Sequence, residues 1–323
     1  MDLESLDVKD RRLLLALDMG ARKTDSAIAN EIGLSKQVTN YRIKRLESRN
    51  LVTSYYAVVD HTKIGLKLYR VGLKLENVDN AKEREILDYL KSRGSWIATV
   101  FGPWDIFMGI YTKDEYDLMD FWKKFSDKYG YYIADKWISL MTKSWKFEKS
   151  FLFPKKKNRK NSFVLGNKSS SINIDMIDHA ILQQLTINAR QSTFNLAKKV
   201  KQTERIVQYR IKKLEENGII LGYRALIDTS MLGLKFYKIF IQLKNADSKD
   251  RQQIRGFVVQ HPNIGYMTEA AGGYDLEFEG HFTDSRALFG FITELRDSAP
   301  TLIKDVIYLE YVKEHKVTYY PVS

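Results

Sequence analysis

Between Ser35 and Asn50 the chain carries five basic residues, Lys36, Arg42, Lys44, Arg45 and Arg49, against one acid, Glu47. On a helical wheel Val38, Ile43 and Leu46 share one side and are expected to face a core. That leaves Lys36, Gln37, Asn40, Tyr41 and Lys44 on the other side, with Ser35 as N-cap. Lys, Gln and Asn suit the donor and acceptor pattern of base edges in a major groove. Arg42, Arg45 and Arg49 flank that face, placed for phosphate contacts that set register without reading sequence. A solvated helix without a role more often mixes its signs, so this one is expected to read double-stranded DNA.

A second, weaker version lies at 203–217, where Arg205, Gln208, Tyr209, Arg210 and Lys212 are exposed beside Glu204, Glu215 and Glu216. Lys201-Gln202 stands where the first version has Gly33-Leu34, so its turn geometry is less assured. Two readings stay open: a second half-site of different sequence, which we favour, or a helix demoted to a structural part.

Other chemistry is poorly served. His61, His179, His261, His281 and His315 include no pair at i, i+3 or i+4, so no metal site is expected. There is no cysteine, which excludes disulfides and thiolate sites and fits an intracellular setting. No phosphate-cradling glycine loop, nucleophile elbow or acid–base constellation appears, and neither a catalytic residue nor a cofactor is expected. The net charge of +12 asks for an anionic partner. The acidic start lacks an apolar run and no stretch reaches the ~20 apolar residues of a membrane span, so a cytoplasmic protein with no membrane partner is expected.

The elements that position these residues occur twice. Asp7 to Lys67 and Asp175 to Lys235 run in one register, 168 positions apart, and Tyr41-Arg42-Ile43-Lys44-Arg45-Leu46-Glu47 returns as Tyr209-Arg210-Ile211-Lys212-Lys213-Leu214-Glu215. A period this long is a duplicated protein and not a solenoid. Each repeat opens with three short helices. Thr24-Asp25-Ser26 supplies N-cap formers, Gly33 ends the second helix and Ser35 starts the third, the order of a helix-turn-helix. Residues 51–59 are β-branched and aromatic, suggesting a hairpin wing. Strands at 66–75, 97–101, 105–111 and 133–140 then alternate with helices at 81–92 and 116–129. The second repeat gives strands at 234–243, 264–271, 275–282 and 302–311, with helices at 250–260 and 285–297.

This is an α+β plan, two copies of a winged helix-turn-helix followed by a ferredoxin-like βαββαβ sandwich. The boundaries are 1–60 and 61–154, a basic flexible linker at 155–173, then 174–228 and 229–323. The open sheet faces are expected to pack against one another.

Leu6-Asp7, Ala21-Arg22, Ala29, Gly33-Leu34-Ser35 and Arg42 to Glu47, with their counterparts Ile174-Asp175, Ala189-Arg190, Ala197 and Arg210 to Glu215, resemble the Lrp/AsnC family of feast/famine transcriptional regulators. Gly272-Gly273-Tyr274-Asp275 resembles that family's effector-domain hairpin, and Gly102-Pro103-Trp104-Asp105 is its bulkier counterpart. The resemblance implies promoter DNA as partner, an amino acid or related effector near Gly102, Asp105, Gly272, Gly273 and Asp275, and pairing through the sheets. Here that pairing becomes an internal pseudo-dimer, with higher homo-oligomers open. From the residues alone, Asp105 and Asp275 read first as groups satisfying turn amides. The alternative from another class is an enzyme resembling sirohaem decarboxylases. Those carry a His-Asn-Tyr-x-Arg type motif, whereas Ala98 to Gly102 and Met267 to Ala271 supply neither the His nor the Arg.

Overall fold

A computed structural model describes residues 5–153, 162–166 and 171–321. The first half opens with α1 (Val8–Gly20), α2 (Asp25–Ile32) and α3 (Lys36–Ser48). Asp7, Thr24 and Ser35 cap them, each side chain accepting from a backbone N–H three residues on. Gly33 ends α2 in the left-handed conformation, φ 68°. The second half repeats the unit as α6 (Met176–Ile187), α7 (Thr193–Lys199) and α8 (Glu204–Glu216).

No hairpin wing forms. The single strand β1 (Val52–Val59) instead pairs antiparallel with β7 (Ile220–Ile227), its counterpart from the other half. Tyr55 lies opposite Ala225 and Ala57 opposite Tyr223, so the ribbon's local two-fold passes between Tyr56 and Arg224. The reason is burial: Ala225 and Ile227 enter the core of the first helical unit, while Ala57 and Val59 enter that of the second. Arginines lock the exchange. Arg190 Nη1 donates to the Ala21 carbonyl at 2.7 Å, and Arg22 reciprocates on the Ala189 carbonyl.

Beyond the ribbon the first half continues as β2 (Lys67–Leu75), α4 (Asn80–Arg93), β3 (Trp96–Phe101), β4 (Ile106–Thr112), α5 (Glu115–Tyr129) and β5 (Ile133–Phe147). The second continues as β8 (Lys235–Leu243), α9 (Ser248–Gln260), β9 (Ile264–Ala271), β10 (Leu276–Phe282), α10 (Ser285–Ser298) and β11 (Ile303–Val317). Each set has the ferredoxin-like order, β5-β2-β4-β3 and β11-β8-β10-β9. The sheets join edge to edge, β3 on β11 and β9 on β5, closing a ring of eight strands. This closure explains why β5 and β11 outrun the strands expected at 133–140 and 302–311. Their extra residues pair with the other half, Leu140 to Lys146 on β9 and Glu310 to Val317 on β3.

Alternation fixes what each face does. Val71, Leu73, Ile106, Met108 and Ile110 bury under α4 and α5, and Ile239, Ile241, Leu276 and Phe278 under α9 and α10. The segment expected as a linker is ordered where it is described. Ser162–Leu165 forms β6 against Phe147 to Ser144 of β5, and the Gly166 amide donates to Asp60. The basic cluster at 155–160 lies outside the described residues.

Candidate nucleic-acid interface

The core positions of α3 are Thr39, Ile43 and Leu46, spaced i, i+4, i+7. Val38 does not face the core as expected. It is 42% exposed because Thr39 takes the inward place, and Ile206, its counterpart in α8, is likewise exposed beside buried Val207. The outward face of α3 therefore carries Lys36, Gln37, Val38, Tyr41 and Lys44, with Arg49 at its end. Ser35, as expected, is the N-cap, its hydroxyl accepting from the Val38 amide.

Three expected contact residues are held inside the unit. Arg42 donates to Asp7 and Asp10 at 2.7 Å each, and Arg45 to Asp10 at 2.6 Å. Both guanidiniums brace the buried Asp10 of α1, so they orient α3 against α1. The Asp7 bond comes first in raising the Arg42 pKa, with Asp10 second. Asn40 donates to Asp25 at 2.7 Å, and Asp25 also accepts from Arg190 at 2.6 Å, which ties α3 to the second half. The Leu6-Asp7 and Asp10 pattern carried this bracing in the sequence, although wheel position alone assigned the arginines outward.

In α8, Arg205, Gln208 and Tyr209 are exposed. Arg210 repeats the brace, donating to Asp175 and Asp178 at 2.7 and 3.1 Å. Lys212 lies 3.7 Å from Glu216, both well exposed. The turn before α8 survives the loss of its glycine. Lys201 adopts φ 54°, and the Gln202 amide donates to the Ala197 carbonyl as the Leu34 amide does to Ala29.

The hairpins expected to meet an effector are built into the ring. Asp105 accepts from the Leu75 amide and Lys74 at 2.8 Å each, and Asp275 from the Leu243 amide and Arg251 at 2.9 Å each. Gly102 has the backbone of Tyr308 and Leu309 against it. Gly272 and Gly273 both take positive φ, and the Trp137 ring covers Gly273 where a Cβ would stand. Trp104 and Tyr274, at the two turns, meet Phe240 at 5.3 and 5.4 Å and plug one end of the lumen.

The next layer inward is ionic, and composition alone did not reveal it. Buried Lys238 lies 2.7 Å from Glu277 and 2.8 Å from Glu279, while Arg70 pairs with Glu277 and donates to Thr268 at 2.9 Å. Burial pushes the Glu277 carboxyl up, and Arg70 with Lys238 more than offsets it, leaving the group below the usual range. At the junction of ribbon and ring, Asp18 takes a two-pronged grip from Arg224 and both the amide and Nζ of Lys149.

Two helix-turn-helix units, the first with a basic outward face, fixed side by side on one scaffold, define a DNA-binding protein. An AsnC-type helix-turn-helix domain matches residues 6–47, and a winged helix-turn-helix DNA-binding domain matches residues 174–220. An uncharacterized HTH-type transcriptional regulator of Pyrococcus furiosus is 32% identical over 151 residues, covering 45% of this chain and 97% of the relative. Its counterpart in Pyrococcus abyssi is 34% identical over 124 residues, covering 38% and 80%. The chain belongs to the Lrp/AsnC family of transcriptional regulators. Among solved structures, the siroheme decarboxylase NirDL aligns with a TM-score of 0.64, 96% of this chain and 93% of that one, at 11% identity. That likeness shows a shared fold and says nothing of chemistry. No helix among the described residues is long and apolar enough to cross a membrane.

Proposed function

We propose that this regulator binds a specific duplex DNA site as an internal pseudo-dimer and performs no catalysis. The observation that carries the reading is the outward face of α3. The side chains of Lys36, Gln37, Tyr41, Lys44 and Arg49 are exposed and have no hydrogen-bond or ion-pair partner among the described residues, while the neighbouring Arg42 and Arg45 are paired with Asp7 and Asp10. Gln37 and Lys36 supply base-edge donors, and exposed Val38 supplies an apolar contact of the kind a thymine methyl takes. Arg205, Gln208 and Tyr209 of α8 read a second, different half-site, because the two faces share few side chains. A non-palindromic operator follows.

Fluorescence anisotropy with a duplex from the protein's own promoter, against a shuffled duplex across a salt series, tests this. Preferential binding that weakens log-linearly with salt is expected, its slope counting neutralised phosphates at ~0.9 each. Absence of binding at low salt, together with decarboxylation of added sirohaem followed by absorbance, would replace this reading with the enzyme one.

A further inference from the structure

Where the β1–β7 ribbon meets the open end of the ring lies a cavity of about 690 Å³, within the range of small-molecule sites. Ser230, Val312 and Lys313 at its rim are exposed and leave a path to solvent. Its wall holds polar groups that nothing among the described residues satisfies. His61 is 1% exposed, and neither ring nitrogen has a partner; the buried Tyr311 hydroxyl has none either. Lys146, another lining residue, makes no hydrogen bond or ion pair among the described residues and rests on the rings of Tyr319, Tyr266 and Tyr56 at 4.8 to 6.0 Å.

The related positions of the other half are closed. Thr229 and His281, which stand where the first half has His61 and Tyr111, hydrogen-bond each other at 3.1 Å. Lys316, the counterpart of Lys146, donates to the Lys91 carbonyl at 2.7 Å. The unpaired His61 and Lys146 side chains are therefore particular to the first half, and Tyr311 of the second half faces the same cavity.

From this arrangement we infer that the cavity is a binding site for a planar organic monocarboxylate, its carboxylate on Lys146 and its ring between the aromatic walls. One carboxylate matches the one inner cation without a salt bridge among the described residues, since Arg70, Lys149 and Lys235 are already paired with Glu277, Asp18 and Glu310, and Glu279 acts on Lys146 only through space. A small turn of the His61 and Tyr311 side chains, whose polar atoms are buried, brings further hydrogen bonds to polar atoms of the ligand. Burial, then the Arg224 charge, lowers the Lys146 pKa to about 7, so an arriving anion also favours its protonated form. Phe236, stacked between Tyr311 and His281 at 4.4 and 4.6 Å, completes a row of rings whose edges line one side of the cavity. A ligand here touches ribbon and ring together, away from the two hairpins.

The site is tested on the full chain without DNA, so its outcome is independent of the DNA-binding reading. The probes are naphthalene-2-carboxylate and indole-3-acetate, with 2-naphthamide as the uncharged control, followed by quenching of tryptophan fluorescence, Trp96 being a lining residue. Saturable binding of a carboxylate probe is expected, weakened about tenfold or more by Lys146→Met, retained by Lys146→Arg and little shared by the amide. Tyr311→Phe, which keeps the ring, should weaken it about threefold or more and serves should Lys146→Met fail to fold. No binding at millimolar probe, equal affinity in the folded variants, or binding of sirohaem alone overturns the inference.

Discussion

Asp18→Asn should be the most damaging single exchange of one polar atom in the molecule. Asp18 and Arg224 are fully buried and Lys149 is 7% exposed at the side chain. The carboxylate accepts from Arg224 Nη2 at 2.7 and 2.8 Å, Arg224 Nε at 3.0 Å, and the Lys149 amide and Nζ at 2.9 Å each. Neutralising it leaves two buried cations facing each other with no counter-charge, a loss of about 3–5 kcal/mol. If ribbon and ring unfold as one unit, about 2.1 cal/mol/K per residue over 323 residues converts 4 kcal/mol into a fall in Tm of about 6 °C. If the first helical unit of ~60 residues melts alone, the same loss moves that transition by about 30 °C. Differential scanning calorimetry at pH 7 separates the two, and we expect the single, smaller shift. The sign with pH is fixed. Burial raises the Asp18 carboxyl, Arg224 and Lys149 more than offset it, and the folded pKa is lowered. Its stabilisation is therefore present above the unfolded carboxylate range near pH 4 and lost as pH falls through the folded value. A Tm unchanged within 1 °C, or a more stable Asp18→Asn, would refute the reasoning.

Lys44→Ala with Arg49→Ala should reduce the slope of log affinity against log salt by about 1.8, while Arg42→Ala lowers Tm and leaves the slope in place. Lys201→Gly should stabilise by about 0.5–1 kcal/mol in urea titration, because relief of the left-handed φ of 54° exceeds glycine's cost in the unfolded chain. His61 and His281 are both pushed down to about 3, chiefly by burial. Their contribution is complete above pH 6.5 and is lost as pH falls toward 3, at about 1.4 kcal/mol per unit for each histidine. The urea midpoint should accordingly drop between pH 7 and 4.5, and drop less in His281→Phe.

Local signals were legible where a residue type has one structural use. Thr24, Ser35 and Gly33 marked the helix boundaries, and the strand alternation marked both sheets within a residue or two except at the far ends of β5 and β11. What escaped was decided by contact between the halves. Nothing in residues 51–59 distinguishes a hairpin from a strand that finds its partner far along the chain, and the partner won because it completes both helical cores. Val38 was misassigned because hydropathy ranks it above its neighbour; the backbone positions of Ile43 and Leu46 select Thr39. Arg42 and Arg45 looked like phosphate ligands because a wheel shows direction and not the acids waiting on the neighbouring helix. The lumen's ionic layer was hidden in alternation itself, since Arg70, Lys238, Glu277 and Glu279 occupy the positions a solvated face would.

Joining the halves in one chain permits differences that two identical chains cannot express. Arg224, Asp18 and Lys149 correspond to Tyr56, Thr186 and Tyr319, and where the first set forms a buried charge cluster the second stacks Tyr56 on Tyr319 at 3.9 Å. A symmetric dimer with Asp18, Arg224 and Lys149 twice would bring two such clusters to adjoining places on the ribbon axis. It would double the desolvation cost and place like charges close together. Alternating an ionic and an aromatic solution avoids both penalties while the ribbon register stays symmetric. The halves differ in side chain at matching backbone positions elsewhere too, Gly33 against Lys201 and His61–Tyr111 against Thr229–His281. Backbone symmetry thus sets where the two helix-turn-helix units stand, and side-chain asymmetry is what the proposed non-palindromic operator requires of them.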